Sequence, residues 1–154
     1  MNFKYNYNTT FNYNSFLGFS QKGNYAMNID VWRSGKVTFQ NCRFANMTTN
    51  GAGGTTAALW ASYGNIYKWY NSDFVDIINA NTRSAVQASI YCNSSQRCYA
   101  VGNRVENTDG YCVLFPNSTY SMIIGNMGHG CSAGAFGGTT GNYAGNNTTY
   151  NYNW

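Results

Sequence analysis

The segment from residue 106 to residue 130 contains Asp109 and His129, whose side chains can transfer protons. Asp109 is one of five acidic residues in the chain, and His129 is its single histidine. A carboxylate and an imidazole are the groups that general acid and base catalysis uses. Both are also common in turns and at surfaces, where a carboxylate accepts backbone N–H bonds. The segment therefore supports two hypotheses, an active site built on a turn or two repeats of a structural scaffold.

Aromatic side chains beside asparagines indicate a second kind of chemistry, the binding of sugars. Tyrosine and tryptophan rings pack against the C–H faces of a sugar, while amides hydrogen-bond its hydroxyl groups. The candidate residues are Tyr111, Trp60, Tyr67 and Trp69. The alternative for Trp60, Tyr67 and Trp69 is that they fill the interior of the fold.

Composition narrows the classes of function. Only 9% of residues are charged, while 44% are hydrophobic and 18% aromatic, which favours a folded domain over a disordered one. The net charge of +4 comes from scattered Lys and Arg, so we expect no nucleic-acid partner. The apolar runs are too short for a transmembrane helix. A single histidine and the lack of a C-x-x-C motif predict no metal site, and no motif predicts a cofactor.

Glycosylation motifs and cysteines indicate an extracellular or cell-surface location. Five asparagines are the predicted glycosylation sites, with Asn146 overlapping the last of them: Asn8, Asn46, Asn93, Asn117 and Asn147. Cys92 and Cys98 bracket the polar loop "NSSQR", which predicts a disulfide between them. The pairing of Cys42, Cys112 and Cys131 stays open. The N-terminus has no apolar segment typical of a signal peptide, so we expect an internal segment of a longer secreted protein or a chain without its signal.

A repeat runs through most of the chain. Alternating apolar residues followed by an asparagine occur in "KVTFQNCRF" (36–44), "NIYKWYNSDF" (65–74), "CYAVGNRV" (98–105), "SMIIGNMG" (121–128) and, more weakly, "NYAGNNTTY" (142–150). Period-2 alternation predicts strands, and a repeat of about 20 to 30 residues predicts a parallel β-solenoid. The aligned asparagines are expected to form a hydrogen-bonded ladder: Asn41, Asn71, Asn103, Asn126 and Asn146. A Greek-key sandwich is the less favoured alternative, because Asn50–Gly51 is the only Asn-Gly turn signal.

The repeat predicts one all-β domain, residues 1–154, with about five to six coils. Residues 1–35 are expected to form an N-terminal coil or cap, and residues 36–154 the repeated coils. No capping helix is evident at either end, so exposed strand edges favour stacking on further repeats or on another subunit. The alternative is that both Tyr/Asn-rich ends are low-complexity flanks.

Residues 98–134 resemble the polygalacturonase family of glycoside hydrolases, within the pectin-lyase-like superfamily. The likeness is carried by "NRVENTDGYCVLFPNST" and by "GHG" at 128–130, with matching positions at Asn103, Cys112, Val113, Pro116, Asn117, Ser118 and Thr119. The resemblance implies a right-handed parallel β-helix.

The catalytic part of that resemblance is incomplete. Inverting glycoside hydrolysis needs two carboxyl groups on opposite sides of the bond. The family's paired aspartates would fall on Gly110 and Tyr111, with Asp109 one residue away. The family's upstream aspartate has no counterpart in residues 85–88, and its downstream Arg-x-Lys pair has none either. Asp109 and His129 are the catalytic candidates that remain.

Three functional hypotheses follow. The leading one is a secreted or cell-surface β-helix protein with a structural, adhesive or glycan-binding role, whose partner is a polysaccharide or other glycan. The second is a polygalacturonase-like hydrolase, degenerate or truncated, that acts on a pectin-like polysaccharide. The third is a subunit of a fibre formed by end-to-end stacking. Binding is favoured over catalysis, and the question of an enzyme stays open.

Overall fold

The strands follow the alternating segments of the sequence. The structure, a computed structural model, describes residues 1–5, 7–23, 27–51, 55–79, 86–137 and 152–153. The predicted weak repeat at 142–150, with Asn146 and Asn147, lies outside these residues. The strands are β1 (Asn2–Lys4), β2 (Thr9–Asn12), β3 (Ser15–Leu17), β4 (Ser20–Gly23), β5 (Met27–Trp32), β6 (Lys36–Gln40), β7 (Arg43–Gly51), β8 (Thr55–Ser62), β9 (Ile66–Tyr70), β10 (Asp73–Asn79), β11 (Val86–Asn93), β12 (Arg97–Val101), β13 (Arg104–Thr108), β14 (Tyr111–Leu114), β15 (Met122–Ile124), β16 (Met127–Cys131), β17 (Gly134–Gly137) and β18 (Tyr152–Asn153).

Three sheets run along the molecule. Sheet A has the order β1-β5-β8-β11-β14-β17, and sheet B has the order β15-β12-β9-β6-β2. Sheet C has the order β18-β16-β13-β10-β7-β3, with β4 also paired to β7. The chain visits sheets A, B and C in turn, so β1 to β16 make five successive coils.

All described strand pairs are parallel. This arrangement confirms the right-handed parallel β-helix, and the Greek-key alternative is wrong. In the part of the chain that the structure describes, no helix has the length and apolar character needed to cross a bilayer.

Alternation along the strands fills the interior of the coil. Successive side chains of a strand point to opposite faces, so every second residue enters the core. Aromatic rings stack there from one coil to the next, with Phe16 on Phe44 at 4.9 Å and Phe44 on Phe74 at 4.5 Å between ring centroids. Stacks of this kind add roughly 0.5–1.5 kcal/mol per pair beyond the burial of their area.

Left-handed backbone recurs at the same place in successive coils. Between sheets B and C it falls on Tyr13, Asn41, Asn71, Gly102 and Gly125, with φ from 47° to 66°. Left-handed residues also recur at two other places in the coil. Between sheets A and B they are Tyr5, Arg33, Tyr63, Ser94 and Asn117. Along sheet C they are Gly18, Asn46, Asp76, Asn107 and Gly130. Glycine and asparagine adopt this conformation most readily. The backbone requirement explains much of the recurrence of Asn and Gly in the repeat.

Asn103 and Asn126 bond to each other as the predicted asparagine ladder requires, whereas Asn41 and Asn71 lie one position earlier at the corner and are not part of that buried ladder. The Asn41 Nδ2 donates instead to the Asn12 Oδ1 at 3.2 Å, on the exterior. Tyr70 pairs with Val101 and Val101 with Ile124, which places Asn41 and Asn71 level with Gly102 and Gly125. The next residue in each coil points inward and forms the inner ladder, which consists of Cys42, Ser72, Asn103 and Asn126. The alignment of the repeats matched asparagine to asparagine. The corner, however, has two adjacent positions: the first has a left-handed backbone, and the second has a buried side chain.

Two disulfides tie strands together within single coils. The predicted bond between Cys92 and Cys98 is confirmed and links β11 to β12. A second bond joins Cys112 in β14 to Cys131 in β16. Cys42 is the free cysteine and is buried in the inner ladder, with its Sγ 3.3 Å from the Gln40 carbonyl oxygen.

Candidate glycan-binding face

Tyr67 and Trp69 are core residues, which corrects their assignment as sugar-binding residues. Each is 1% exposed, because β9 directs them inward and its alternate residues outward. The Tyr67 hydroxyl accepts a bond from the Ser34 N–H at 3.2 Å and donates to the Ser62 carbonyl at 3.0 Å. Burial raises its pKa from 10.0 to about 12, with the Ser34 hydrogen bond opposing that rise. These side chains stabilise the coil and have no surface for a ligand.

Trp60 and Tyr111 lie together on the outer face of sheet A. Trp60 stands between the core residues Leu59 and Ala61, so its ring points away from the core. It is half-buried and packs on Tyr91, with ring centroids 4.6 Å apart and planes tilted by 43°. Tyr111 joins the same apolar cluster, which is separate from the main core.

This cluster, with one carboxyl group, defines what we call the sheet A face. One row of paired residues crosses four strands and consists of Asp30, Trp60, Tyr91 and Leu114. A second row consists of Ala57, Ala88 and Tyr111. The two alanines are fully buried and small, so they form a low floor between the larger side chains.

Asp30 supplies a hydrogen-bonding group at one end of the sheet A face. Its residue pairs with Trp60 on the next strand, and it is only partly exposed. Burial raises the pKa of its carboxyl group, while the charge of Lys4 lowers it. A carboxyl group beside an aromatic ring accepts hydrogen bonds from sugar hydroxyls while the ring packs on the sugar's apolar face.

Asp109 and His129 occupy different places. Asp109 lies in the turn between β13 and β14, and its N–H donates to the Ile77 carbonyl at 3.1 Å. His129 is exposed on β16 and pairs in register with Glu106 rather than with Asp109. Glu106 in turn accepts a bond from the Arg104 Nη1 at 3.3 Å. The register therefore brings His129 next to a different carboxylate from the one that the sequence suggested, and the catalytic assignment stays a prediction.

The predicted glycosylation sites differ in exposure. Asn8, Asn46 and Asn117 are exposed. Asn93 is half-buried, and its Oδ1 accepts bonds from the Ser94 hydroxyl at 3.2 Å and from the Asn117 amide at 3.4 Å. Glycosylation itself stays a prediction at all these positions.

Sequence analysis missed Asp30 and Tyr91 as members of the sheet A face. Both stand at alternate positions between core residues, so strand alternation predicts that they point outward. Their pairing with Trp60 depends on the coil-to-coil register, which the sequence alone left undetermined. Among the described residues, no group of three or more His, Cys, Asp or Glu side chains lies close enough to hold a metal ion.

Comparisons with known proteins give no match. No family model matches the chain, and searches of curated proteins and of solved structures also find no match.

Proposed function

We propose that the chain is an extracellular or cell-surface β-helix protein that binds glycans through the sheet A face. The single observation that carries the proposal is the placement of Trp60 and Tyr111 with Asp30 on one exterior face. Rings and a carboxyl group on a shared flat surface meet both needs of a sugar, an apolar contact and a hydrogen-bond partner. Two disulfides support an oxidising, extracellular setting.

The geometry favours an extended ligand over a small one. The row from Asp30 to Leu114 crosses four paired strands, and neighbouring strands lie about 4.8 Å apart. A short polymer therefore has room to contact Asp30, Trp60 and Tyr111 at the same time. This arrangement supports binding along a polysaccharide chain.

A glycan array tests the proposal. We expect the protein to be retained by one or more neutral or mixed glycans, and expect Trp60→Leu to weaken retention about tenfold, which is the effect of losing about 1.4 kcal/mol of binding energy. Leucine keeps apolar bulk against Tyr91 and removes the stacking ring. Tyr111→Ala is expected to act in the same direction.

The matched control is Tyr7→Ala, which removes an aromatic ring that is 82% exposed and lies outside the sheet A face. It should leave retention unchanged, and thermal unfolding should show that all variants are folded. Retention that is indifferent to Trp60 and Tyr111 contradicts the proposal. Release of reducing ends from polygalacturonate, lost in Asp109→Asn, would establish the hydrolase alternative instead.

A further inference from the structure

The outer face of sheet B combines cationic and aromatic side chains. Val37 and Phe39 in β6, Tyr67 and Trp69 in β9, and Cys98 and Ala100 in β12 point into the core. Their alternate neighbours lie on the opposite side of the sheet in three rows, in which Thr38 is itself buried: Lys36, Ile66 and Arg97; Thr38, Lys68 and Tyr99; Gln40, Tyr70 and Val101. We call this surface the sheet B face.

The sheet B face has cations and no acidic residue. The sheet B face has three cations, Lys36, Lys68 and Arg97. All five acidic residues lie elsewhere: Asp30 on sheet A, Asp73, Asp76 and Glu106 on sheet C, and Asp109 in the turn between sheets C and A. A surface with one sign of charge raises the local concentration of oppositely charged ligands.

Lys68 lies beside two tyrosine rings of the sheet B face. Its ammonium group lies 5.6 Å from the centre of the Tyr70 ring and 5.5 Å from that of the Tyr99 ring. Arg104 on sheet C differs, since its guanidinium contacts the Asp73 carboxylate at 3.1 Å and the Glu106 carboxylate at 3.3 Å. Rings leave the positive charge of Lys68 uncompensated, whereas carboxylates neutralise that of Arg104.

We propose that the sheet B face binds an acidic polysaccharide. Carboxylate or sulfate groups of the polymer contact Lys36, Lys68 and Arg97, and its sugar rings pack against Tyr99 and Tyr70. Lys36 and Arg97 stand in one row with Ile66 between them, about 10 Å apart at the usual strand spacing. A linear polymer with regularly spaced anionic groups matches charges repeated along a stack of coils.

An acidic polysaccharide fits better than a nucleic acid. Disulfides at Cys92–Cys98 and Cys112–Cys131 favour a secreted or cell-surface setting over the cytosol and the nucleus, where nucleic acids are found. The sheet B face is separate from the sheet A face, so this proposal does not depend on the function proposed above.

Binding measurements with heparin, alginate, uncharged dextran and single-stranded DNA test the proposal. Heparin carries sulfates together with carboxylates, and alginate carries carboxylates alone, so binding of heparin without binding of alginate indicates a requirement for sulfate. We expect at least one of them to bind, with affinity that falls as salt rises, and expect dextran not to bind. Lys68→Gln and Arg97→Gln should each lower the affinity about fivefold or more. Arg97 is exposed, so its replacement has the smaller effect on folding and keeps the test valid if Lys68→Gln does not fold.

Arg43→Gln is the matched control, because it removes one exposed charge from sheet C. It should change the affinity by less than about twofold, and Trp60→Leu should also leave it unchanged. Equal losses from Arg43→Gln and Arg97→Gln would show attraction by net charge alone and overturn the proposal. Tighter binding of DNA than of either acidic polysaccharide, or no binding of either, would overturn it as well.

Discussion

Asn103 closes one corner of the coil with its side chain. Its Oδ1 accepts the Ser72 N–H at 3.0 Å, and its Nδ2 donates to the Trp69 carbonyl and to the Asn126 Oδ1, each at 2.9 Å. The Asn126 Oδ1 also accepts the Asn103 N–H at 2.9 Å. Buried backbone groups need such partners, because an unpaired one costs about 1–3 kcal/mol. The corner bonds thus connect three successive coils through two side chains.

Replacing Asn103 by alanine should lower the free energy of unfolding by about 3 kcal/mol. The Ser72 N–H loses its buried acceptor, and the Asn126 Oδ1 loses the bond that the Asn103 Nδ2 donates to it. Urea denaturation measures the difference. Asn71→Gly is the control: it changes an exposed asparagine to the residue found at the equivalent positions 102 and 125. Its effect should stay below about 1 kcal/mol, since glycine removes the cost of a left-handed side chain. Similar losses in the two variants would show that Asn103 is not the ladder residue.

At the corner between sheets A and B, the Tyr67 hydroxyl makes a hydrogen bond that serine hydroxyls make in other coils. Ser34, Ser95 and Ser118 each donate a hydroxyl bond to the carbonyl two residues earlier, at 3.3, 3.0 and 3.4 Å. The third coil has Gly64 at this place, and the Tyr67 hydroxyl makes the corresponding bond to Ser62. A Cβ on Gly64 would collide with that hydroxyl. Glycine and tyrosine three residues apart therefore act together.

Tyr67→Phe should destabilise the protein by about 1–3 kcal/mol at neutral pH, because the Ser34 N–H and the Ser62 carbonyl each lose the hydrogen bond to the Tyr67 hydroxyl. The difference should shrink as the pH rises from 10 to 12. Burial raises the folded pKa of Tyr67 to about 12 from 10.0, so this group ionises first in the unfolded chain, and the wild type loses stability in this range through a group that the variant lacks. A rise of that size corresponds to roughly 3 kcal/mol of stability. Unfolding curves of both proteins across this range measure the effect, and a constant difference would contradict it.

Strands were predictable from the sequence because alternation records which side chains are buried. "NIYKWY" and "KVTFQ" both form strands where the pattern places them, and the pattern also predicts the parallel solenoid. The inner face of β9 was not assigned, because the sequence does not show which of its two faces meets the core. The corners were less predictable, because the exposed and the buried corner positions are adjacent in the sequence. An alignment that is wrong by one residue therefore matches an exposed asparagine to a buried one. Asn41 and Asn71 were misplaced for this reason.

The disulfide between Cys112 and Cys131 should stabilise the fifth coil. It closes a loop between residues 19 apart, which removes about 3 kcal/mol of chain entropy from the unfolded state. Replacing both cysteines by alanine should lower the free energy of unfolding by roughly that amount. Cys42→Ala removes a buried thiol without breaking a crosslink and should cost less. Peptide mapping that pairs Cys42 with either residue would contradict this assignment.

At the scale of the molecule, the three sheets of the β-helix present outer surfaces with different side chains. Sheet A presents rings with one carboxyl group, sheet B presents cations with tyrosines, and sheet C presents paired charges such as Arg104 with Asp73. The sequence suggested sugar binding through aromatic residues, but it could not separate surface rings from core rings. The register between coils places Trp60 and Tyr111 together, and the face of β9 that meets the core puts Tyr67 and Trp69 inside. The proposed glycan binding therefore depends on contacts between residues far apart in the chain.

Hydroxyl-radical footprinting with a glycan retained on the array tests the central claim most directly, because it reports the exposure of individual rings. The glycan should protect Trp60 and Tyr111 from oxidation, while Tyr7 and Tyr63, which are 82% and 59% exposed, should react as in the free protein. Protection confined to other rings, or no protection of Trp60 and Tyr111 at saturating glycan, would contradict binding through the sheet A face.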